Sequence, residues 1–348
     1  MEQLLSIPSG FKVFGLEIKF YGITMALAYA VALIVCIALC KKKKYDENLP
    51  YKLLLIAFPL AVIGGRLGYV IFDNRTWTFA EILDIRSGGL MLYGGVLLAL
   101  VGMLVYAWVK KINPLKLLDL IAPCLVLAQA IGRWGNFFNQ EAYGNLITNS
   151  SMQWFPFGVY IESGHFTNEA LEQVVSAYGS GVSGAWFYAT FFYESLWCVL
   201  TFITLYLVYK KTNKVGLTTA LYLVLYATER LLVEGIRTDS LYLGSTGIRI
   251  SQLISIIMMI CGGAYLFYLL LMHLKNKKTK IGEKQHGLYD ETSNNLKQMQ
   301  YQDVKLDENN NQTSAQQNPL LKSSFDTPKQ ETKNERVEKI KNRNKKQD

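Results

Sequence analysis

The chain has 348 residues, 51% of them apolar, and a formal charge of +9. Several apolar runs approach the ~18 residues that soluble globular proteins rarely contain even once, which argues against a soluble domain. A basic balance suits nucleic acid, anionic lipid or membrane topology, and the positions of the lysines assign most of it here to topology.

Taken in chain order, the apolar runs predict seven transmembrane helices, at residues 21–40, 53–72, 89–109, 115–135, 186–209, 216–235 and 251–274. Helices are required because lipid offers the backbone no hydrogen-bond partners. The first span opens on Tyr21-Gly22 and is followed by Lys41–Lys44. Signal peptides carry their charge before the apolar core, so this segment is expected to remain. Cys36 and Cys40 share a face of that helix, and with Cys124, Cys198 and Cys261 they all lie in apolar runs. Buried thiols and no disulfide framework are expected.

The second span contains Gly64-Gly65-Arg66-Leu67-Gly68-Tyr69, and the third opens on Gly88-Gly89-Leu90-Met91-Leu92-Tyr93-Gly94-Gly95. Read alone, the latter favours close helix packing through small residues, with Tyr93 in an aromatic belt. The fourth span closes on Gly132-Arg133-Trp134-Gly135-Asn136-Phe137-Phe138-Asn139-Gln140-Glu141-Ala142-Tyr143-Gly144. Arg133 and Asn136 are i,i+3 neighbours if the helix continues, and arginine presents a planar fork suited to phosphate. A snorkelling interface arginine explains Arg133 alone, but not Asn136, Asn139 and Glu141 around it.

Residues 136–185 contain no Lys or Arg, and form a predicted extracellular head. The fifth span carries a single acid, Glu194, after Tyr188-Ala189-Thr190-Phe191-Phe192-Tyr193, and a functional or helix-bridging role is expected for it. The sixth ends in Glu229-Arg230-Leu231-Leu232-Val233-Glu234-Gly235-Ile236-Arg237. Arg230, Glu234 and Arg237 at i, i+4, i+7 share a helix face, with Glu234 able to pair with both arginines. A substrate site and a structural ion-pair network weigh equally there. After the seventh span, residues 275–348 are rich in Lys, Asn, Gln and Glu, which predicts a disordered tail. Within it Lys339–Lys346 is a basic cluster that reads as a solvated tail, with anionic lipid the lesser alternative.

Orientation follows the basic residues. Lys41–Lys44, the group Lys110, Lys111 and Lys116, the group Lys210, Lys211 and Lys214, and the group from Lys275 to Lys280 all fall on one side if the N-terminus is outside and the C-terminus cytoplasmic. Arg66, Arg133, Glu141, Glu194, Glu229, Arg230, Glu234 and Arg237 then crowd mostly toward the outer ends of their helices. Charges inside a bilayer are costly and usually functional.

Together these segments resemble the bacterial prolipoprotein diacylglyceryl transferase family. The stretch from Gly132 to Gly144 is similar to that family's signature, and the resemblance covers roughly residues 10–274. Arg237-Thr238-Asp239-Ser240 and Arg249-Ile250-Ser251-Gln252 also fit. The resemblance implies a seven-helix body with an outward-facing head. It implies transfer of diacylglyceryl from phosphatidylglycerol to the lipobox cysteine of a preprolipoprotein signal peptide, in a bacterial plasma membrane, with glycerol phosphate leaving. The family's functional arginines carry over to Arg133 and Arg230, and Tyr21, Asn136, Glu141, Gly144 and Glu234 match its other motif positions.

Two departures stand out. Many members have histidine before the Gly-Gly pair, where this chain has Tyr93, and His-Pro where it has Tyr188-Ala189. Its histidines, His165, His273 and His286, lie in no motif. An imidazole base at position 93 therefore cannot operate. The expected catalytic set is Arg133, Arg230, Glu141 and Tyr93. Phosphatidylglycerol is expected on Arg133, Arg230, Asn136, Asn139, Tyr21, Gly144, Glu234, Arg237 and Arg66.

No metal or other cofactor is expected, since no His/Cys cluster has ligand spacing and no phosphate loop or serine elbow is present. No nucleic-acid partner is expected. A transporter or flippase for an anionic lipid or small anion is the first rival. Such proteins show internal repeats and polar groups near the midplane, and neither is evident. A non-catalytic scaffold would not need the Asn and Gly density around Arg133, and an intramembrane protease would need a nucleophile or metal motif.

Overall fold

The computed structural model describes residues 8–73, 75–84, 89–240 and 247–317. Gly88, Lys339–Lys346 and the end of the tail lie outside them. The described chain is mostly helical: α1 (Phe20–Lys43), α2 (Leu49–Phe72), α3 (Phe79–Leu83), α4 (Leu92–Val109), α5 (Pro114–Phe138), α6 (Asn168–Tyr178), α7 (Thr190–Lys211), α8 (Leu217–Glu234) and α9 (Ile250–Gln317). Two antiparallel pairs accompany them, β1 (Gly10–Val13) with β2 (Leu16–Lys19), and β3 (Gly158–Glu162) with β4 (Gly184–Tyr188).

Six helices are long and apolar enough to cross a membrane: α1, α2, α4, α5, α7 and the first part of α9. Helix α8 occupies the remaining predicted span, but Glu229, Arg230 and Glu234 fall within its 18 residues. The fifth predicted span needs a correction. Residues 186–188 belong to β4, which pairs with β3 in the register Gly158↔Tyr188 to Glu162↔Gly184, and the helix starts only at Thr190. The Ala-Trp-Phe-Tyr run is as apolar as a span, yet aromatic residues suit a strand with a partner.

Helix α5 is the hub, packing against α1, α7 and α8, while α2 pairs mainly with α4. The α2–α4 seam is built on glycine. A Cβ on Gly64 would collide with the Gly94 carbonyl, and one on Gly95 would sit 2.7 Å from the Ala61 carbonyl. Small residues spaced by four let two membrane helices approach backbone to backbone.

At its N-terminal end α5 anchors α8. Asp119 accepts from the Gly216 N–H at 2.5 Å and from both the N–H and the hydroxyl of Thr219 at 2.8 Å. The first N–H groups of α8 have no partner within the helix, so a carboxylate from a neighbouring helix satisfies them and complements the helix dipole. Around this end Leu39, Cys40, Leu53, Leu117 and Leu120 form an apolar core. All five cysteines are free thiols, four of them buried and Cys261 exposed.

The segment between α5 and α7 folds on itself around a second core, in which Tyr143, Phe187 and Phe191 pack with Ala170 and Val174 of α6. The Tyr143 hydroxyl donates to the His165 carbonyl and accepts from the Thr167 N–H, both at 2.8 Å. Burial pushes that phenol above its usual range, which keeps its proton in place for donation.

Residues up to Met272 form one compact unit and those from His273 another. The described part of the second is helical to Gln317, where its polar composition predicts disorder. Lys, Glu, Gln and Leu are good helix formers, and a helix already nucleated extends cheaply. Every described side chain from Leu271 to Gln302 is exposed.

Candidate active site

Helix α5 continues to Phe138, so Arg133 and Asn136 do lie one turn apart. The chain then reverses sharply. Gln140 and Ala142 both take left-handed backbone angles, with φ of 51° and 57°. Such conformations cost side-chain-bearing residues free energy and persist only where surroundings enforce them. Here the Gln140 side chain accepts from the Glu162 N–H at 2.8 Å, and the Ala142 carbonyl accepts from the Thr190 hydroxyl. The reversal folds Glu141 back over the helix end, where its carboxylate accepts from Asn136 at 2.8 Å and Asn139 at 3.4 Å. The Asn and Glu density around Arg133 is therefore one connected polar rim.

Beneath that rim three arginines converge on one acid. Glu194 of α7 is fully buried. Arg230 Nη1 donates to its Oε1 at 2.5 Å, Arg237 Nη1 stands 3.5 Å from the same oxygen, and Arg133 Nη1 lies 2.9 Å from Oε2. The last is a charge contact without the alignment of a hydrogen bond. Arg230 also donates to Glu234 at 2.6 Å, and Arg237 forks onto Asp239 at 2.8 and 2.7 Å. Unpaired, each of these charges would cost several kcal/mol to bury.

Helix α8 ends at Glu234, with Gly235 as its C-cap. Arg237 therefore lies beyond the helix, and the expected shared face holds for Arg230 and Glu234 but not for Arg237. Its carboxylate partners are Asp239 and Glu194 rather than Glu234. Its backbone instead forms a β-bridge to Gly144. The Gly144 N–H donates to the Tyr188 carbonyl at 2.9 Å, and a Cβ there would sit 2.9 Å from Tyr188 Cβ and 3.1 Å from the Ile236 carbonyl. Gly144 is thus needed for close backbone passage.

Tyr93 at the start of α4 feels the charges of Arg230, Glu234, Arg237 and Arg133, and Tyr21 of α1 those of Glu141 and Arg133. Both phenols border the cluster. Trp134 closes one side, in edge contact with Phe191 and Phe192 at 5.8 and 6.3 Å between centroids.

Arg66 has a different setting. The buried guanidinium donates to the carbonyls of Ile82 and Gly89 at 3.1 Å, and to that of Glu81. Trp77 lies over it at 5.2 Å. Its described contacts fasten the α2–α4 connection. No group of three or more His, Cys, Asp and Glu among the described residues is arranged to hold a metal ion.

The prolipoprotein diacylglyceryl transferase family profile matches residues 8–268, which takes in α1 through the apolar part of α9 and every residue of the arginine cluster. The chain belongs to that family. Among its relatives, the phosphatidylglycerol–prolipoprotein diacylglyceryl transferase of Clostridium botulinum strain Langeland is 38% identical over 254 residues, covering 72% of this chain and 92% of the relative. The Clostridium kluyveri protein of the same name, from strain ATCC 8527, is 36% identical over 264 residues, covering 75% and 96%. Family membership and six long apolar helices make the chain a multi-pass membrane protein.

Glu194 is the residue that sequence reasoning underweighted. A functional or helix-bridging role is what its position predicts, without a place in the substrate set, although it organises all three arginines. A lone acid in an apolar span was the available signal. Asp239 enters the sequence reading only through its motif, and Glu229 only as one of the charges crowded toward the outer helix ends.

Proposed function

We propose that the arginine cluster binds the phosphatidylglycerol headgroup and promotes attack of the lipobox thiol on its glycerol carbon. The enzyme is a diacylglyceryl transferase of lipoprotein maturation. The observation that carries the site reading is Arg133: one Nη1 contact with Glu194, a side chain 18% exposed, and a polar rim above it. Among the described residues most of its donor fork is uncommitted, and guanidinium matches phosphate oxygens in pairs.

The reaction forms a C–S bond and breaks the C–O bond between diacylglycerol and phosphate. The electron pair of that C–O bond leaves with glycerol phosphate, and the thiol proton is released. A free thiol has a pKa of about 8.5, and arginine fields favour the reactive thiolate. The same fields stabilise the phosphate charge that grows as the bond breaks, where fixed donors act most strongly. Arg133 and Arg230 hold the phosphate. Arg237 and Glu234 fix Arg230 and Glu194, Asn136 and Asn139 hold Glu141 over the rim, and Tyr21 and Tyr93 border the headgroup.

The protein sits in a bacterial plasma membrane with seven spanning helices, α8 being the charged one. The N-terminus faces outward and the lysine clusters face the cytoplasm. Residues 136–185 form the outward head that meets preprolipoprotein signal peptides, and the tail after residue 274 is cytoplasmic.

Purified protein in detergent, given phosphatidylglycerol and a lipobox peptide, yields a diacylglyceryl-peptide adduct by mass spectrometry. The adduct is lost with Arg133→Ala and with a Cys→Ser peptide. Adduct formation undiminished by Arg133→Ala would remove that arginine from the site, and anionic-lipid movement without any adduct would favour a transporter.

A further inference from the structure

Glu229 of α8 is the acid the reaction above does not use. It is 1% exposed, and neither carboxyl oxygen meets a hydrogen-bond donor among the described residues. Oε2 of Glu194 is likewise buried without a hydrogen-bond partner, and the carboxyl of Glu229 interacts side chain to side chain with that of Glu194. Cys198 of α7 and Tyr226 of α8 are its other titratable neighbours on those helices, and Arg133 and Arg230 are the nearby cations.

Charge matching decides its state. Arg133, Arg230 and Arg237 already make direct ion pairs with Glu194, Glu234 and Asp239, three cations against three anions. Glu229 makes no ion pair among the described residues. Two buried carboxylates in contact repel too strongly for both to be ionised. The arginines touch Glu194 directly, so Glu194 keeps the charge and Glu229 the proton.

We propose that Glu229 is a neutral carboxylic acid that donates its hydrogen bond to Glu194, and thereby holds Glu194 at the meeting point of Arg133, Arg230 and Arg237. It is a positioning residue, acting on the lipid phosphate only through Glu194 and the arginines. No bond to substrate forms at Glu229. The role rests on the reading that Arg133 and Arg230 hold the phosphate. It makes position 229 a carboxyl that a neutral amide replaces without loss, unlike Glu194 and Glu234.

The test compares Glu229→Gln, Glu229→Ala and the parent protein, full-length in detergent. In infrared spectra, the parent shows the C=O stretch of a protonated carboxylic acid, moved by 13C-glutamate labelling and missing from Glu229→Gln. Glu229→Gln, whose amide donates the same bond, keeps parental kcat and KM for phosphatidylglycerol. Glu229→Ala raises KM by about tenfold to a hundredfold, the worth of a hydrogen bond to a charged group, while kcat falls less. Should Glu229→Ala fail to fold, the infrared band and the Gln variant decide alone. A parent without that band, or a Gln variant as impaired as a Glu194→Gln variant, would overturn the proposal. The infrared result needs no turnover, and failure of the site reading shows separately, as an unimpaired Arg133→Ala.

Discussion

Two regions of this molecule bury arginine, and they use it in opposite ways. Arg66 gives its guanidinium to the carbonyls of Glu81, Ile82 and Gly89, under the Trp77 ring. Backbone carbonyls cannot change charge or leave, so the arginine there acts as a fastener. Arg133, Arg230 and Arg237 instead face carboxylates, and Arg133 commits a single Nη1 to Glu194. A guanidinium held by one acid can exchange part of its field for an arriving phosphate. The lesson is that burial alone does not identify a working arginine. What it touches, and how much of its fork is already engaged, does.

Glu194→Gln would strain this contrast most. Three guanidinium groups would lose their common anion, and breaking a buried charge set costs roughly 3–5 kcal/mol. Thermal melts should show a large drop, with activity lost in what remains folded. Arg133→Ala comes next, with turnover expected to fall by about 10²–10³ and little change in melting temperature. Arg133→Lys should recover only part of it, because ammonium lacks the fork.

Arg66→Ala should reverse the pattern, lowering stability by about 1–3 kcal/mol through orphaned carbonyls while the folded fraction keeps most of its turnover. Equal catalytic loss at Arg66 and Arg133 would dissolve the distinction. Asp119→Ala sharpens the comparison from the far end of α5. Loss of the α8 anchor should cost about 1–2 kcal/mol and leave KM for phosphatidylglycerol unchanged. Smallest of all, a chain ending at Met272 should retain activity, since the described helix beyond it buries no side chain.

Much of the helical frame could be read from hydropathy. The span predicted at 216–235 falls on α8 despite its charges. Strand β4 could not be read, because Gly184–Tyr188 is apolar and runs almost directly into α7, and only pairing with β3 makes it a strand. Arg237 was misjudged for a local reason: a seven-residue spacing implies a shared face only while the helix continues, and α8 caps at Gly235. The described partners of Arg66 could not be read for a distant reason, since the carbonyls that take up its donors lie 15 to 23 residues away. The Arg133 rim was the readable part of the site, because Asn136, Asn139 and Glu141 lie within eight residues of it.

The bridge between Gly144 and Arg237 has a mechanical consequence. Gly144 is tied at once to Tyr188, where β4 gives way to α7, and to the segment leaving α8. The lobe between α5 and α7 is thus laced to the same backbone that carries Arg237. A side chain at position 144 would therefore push on the start of α7 and on the backbone beside Arg237 at the same time.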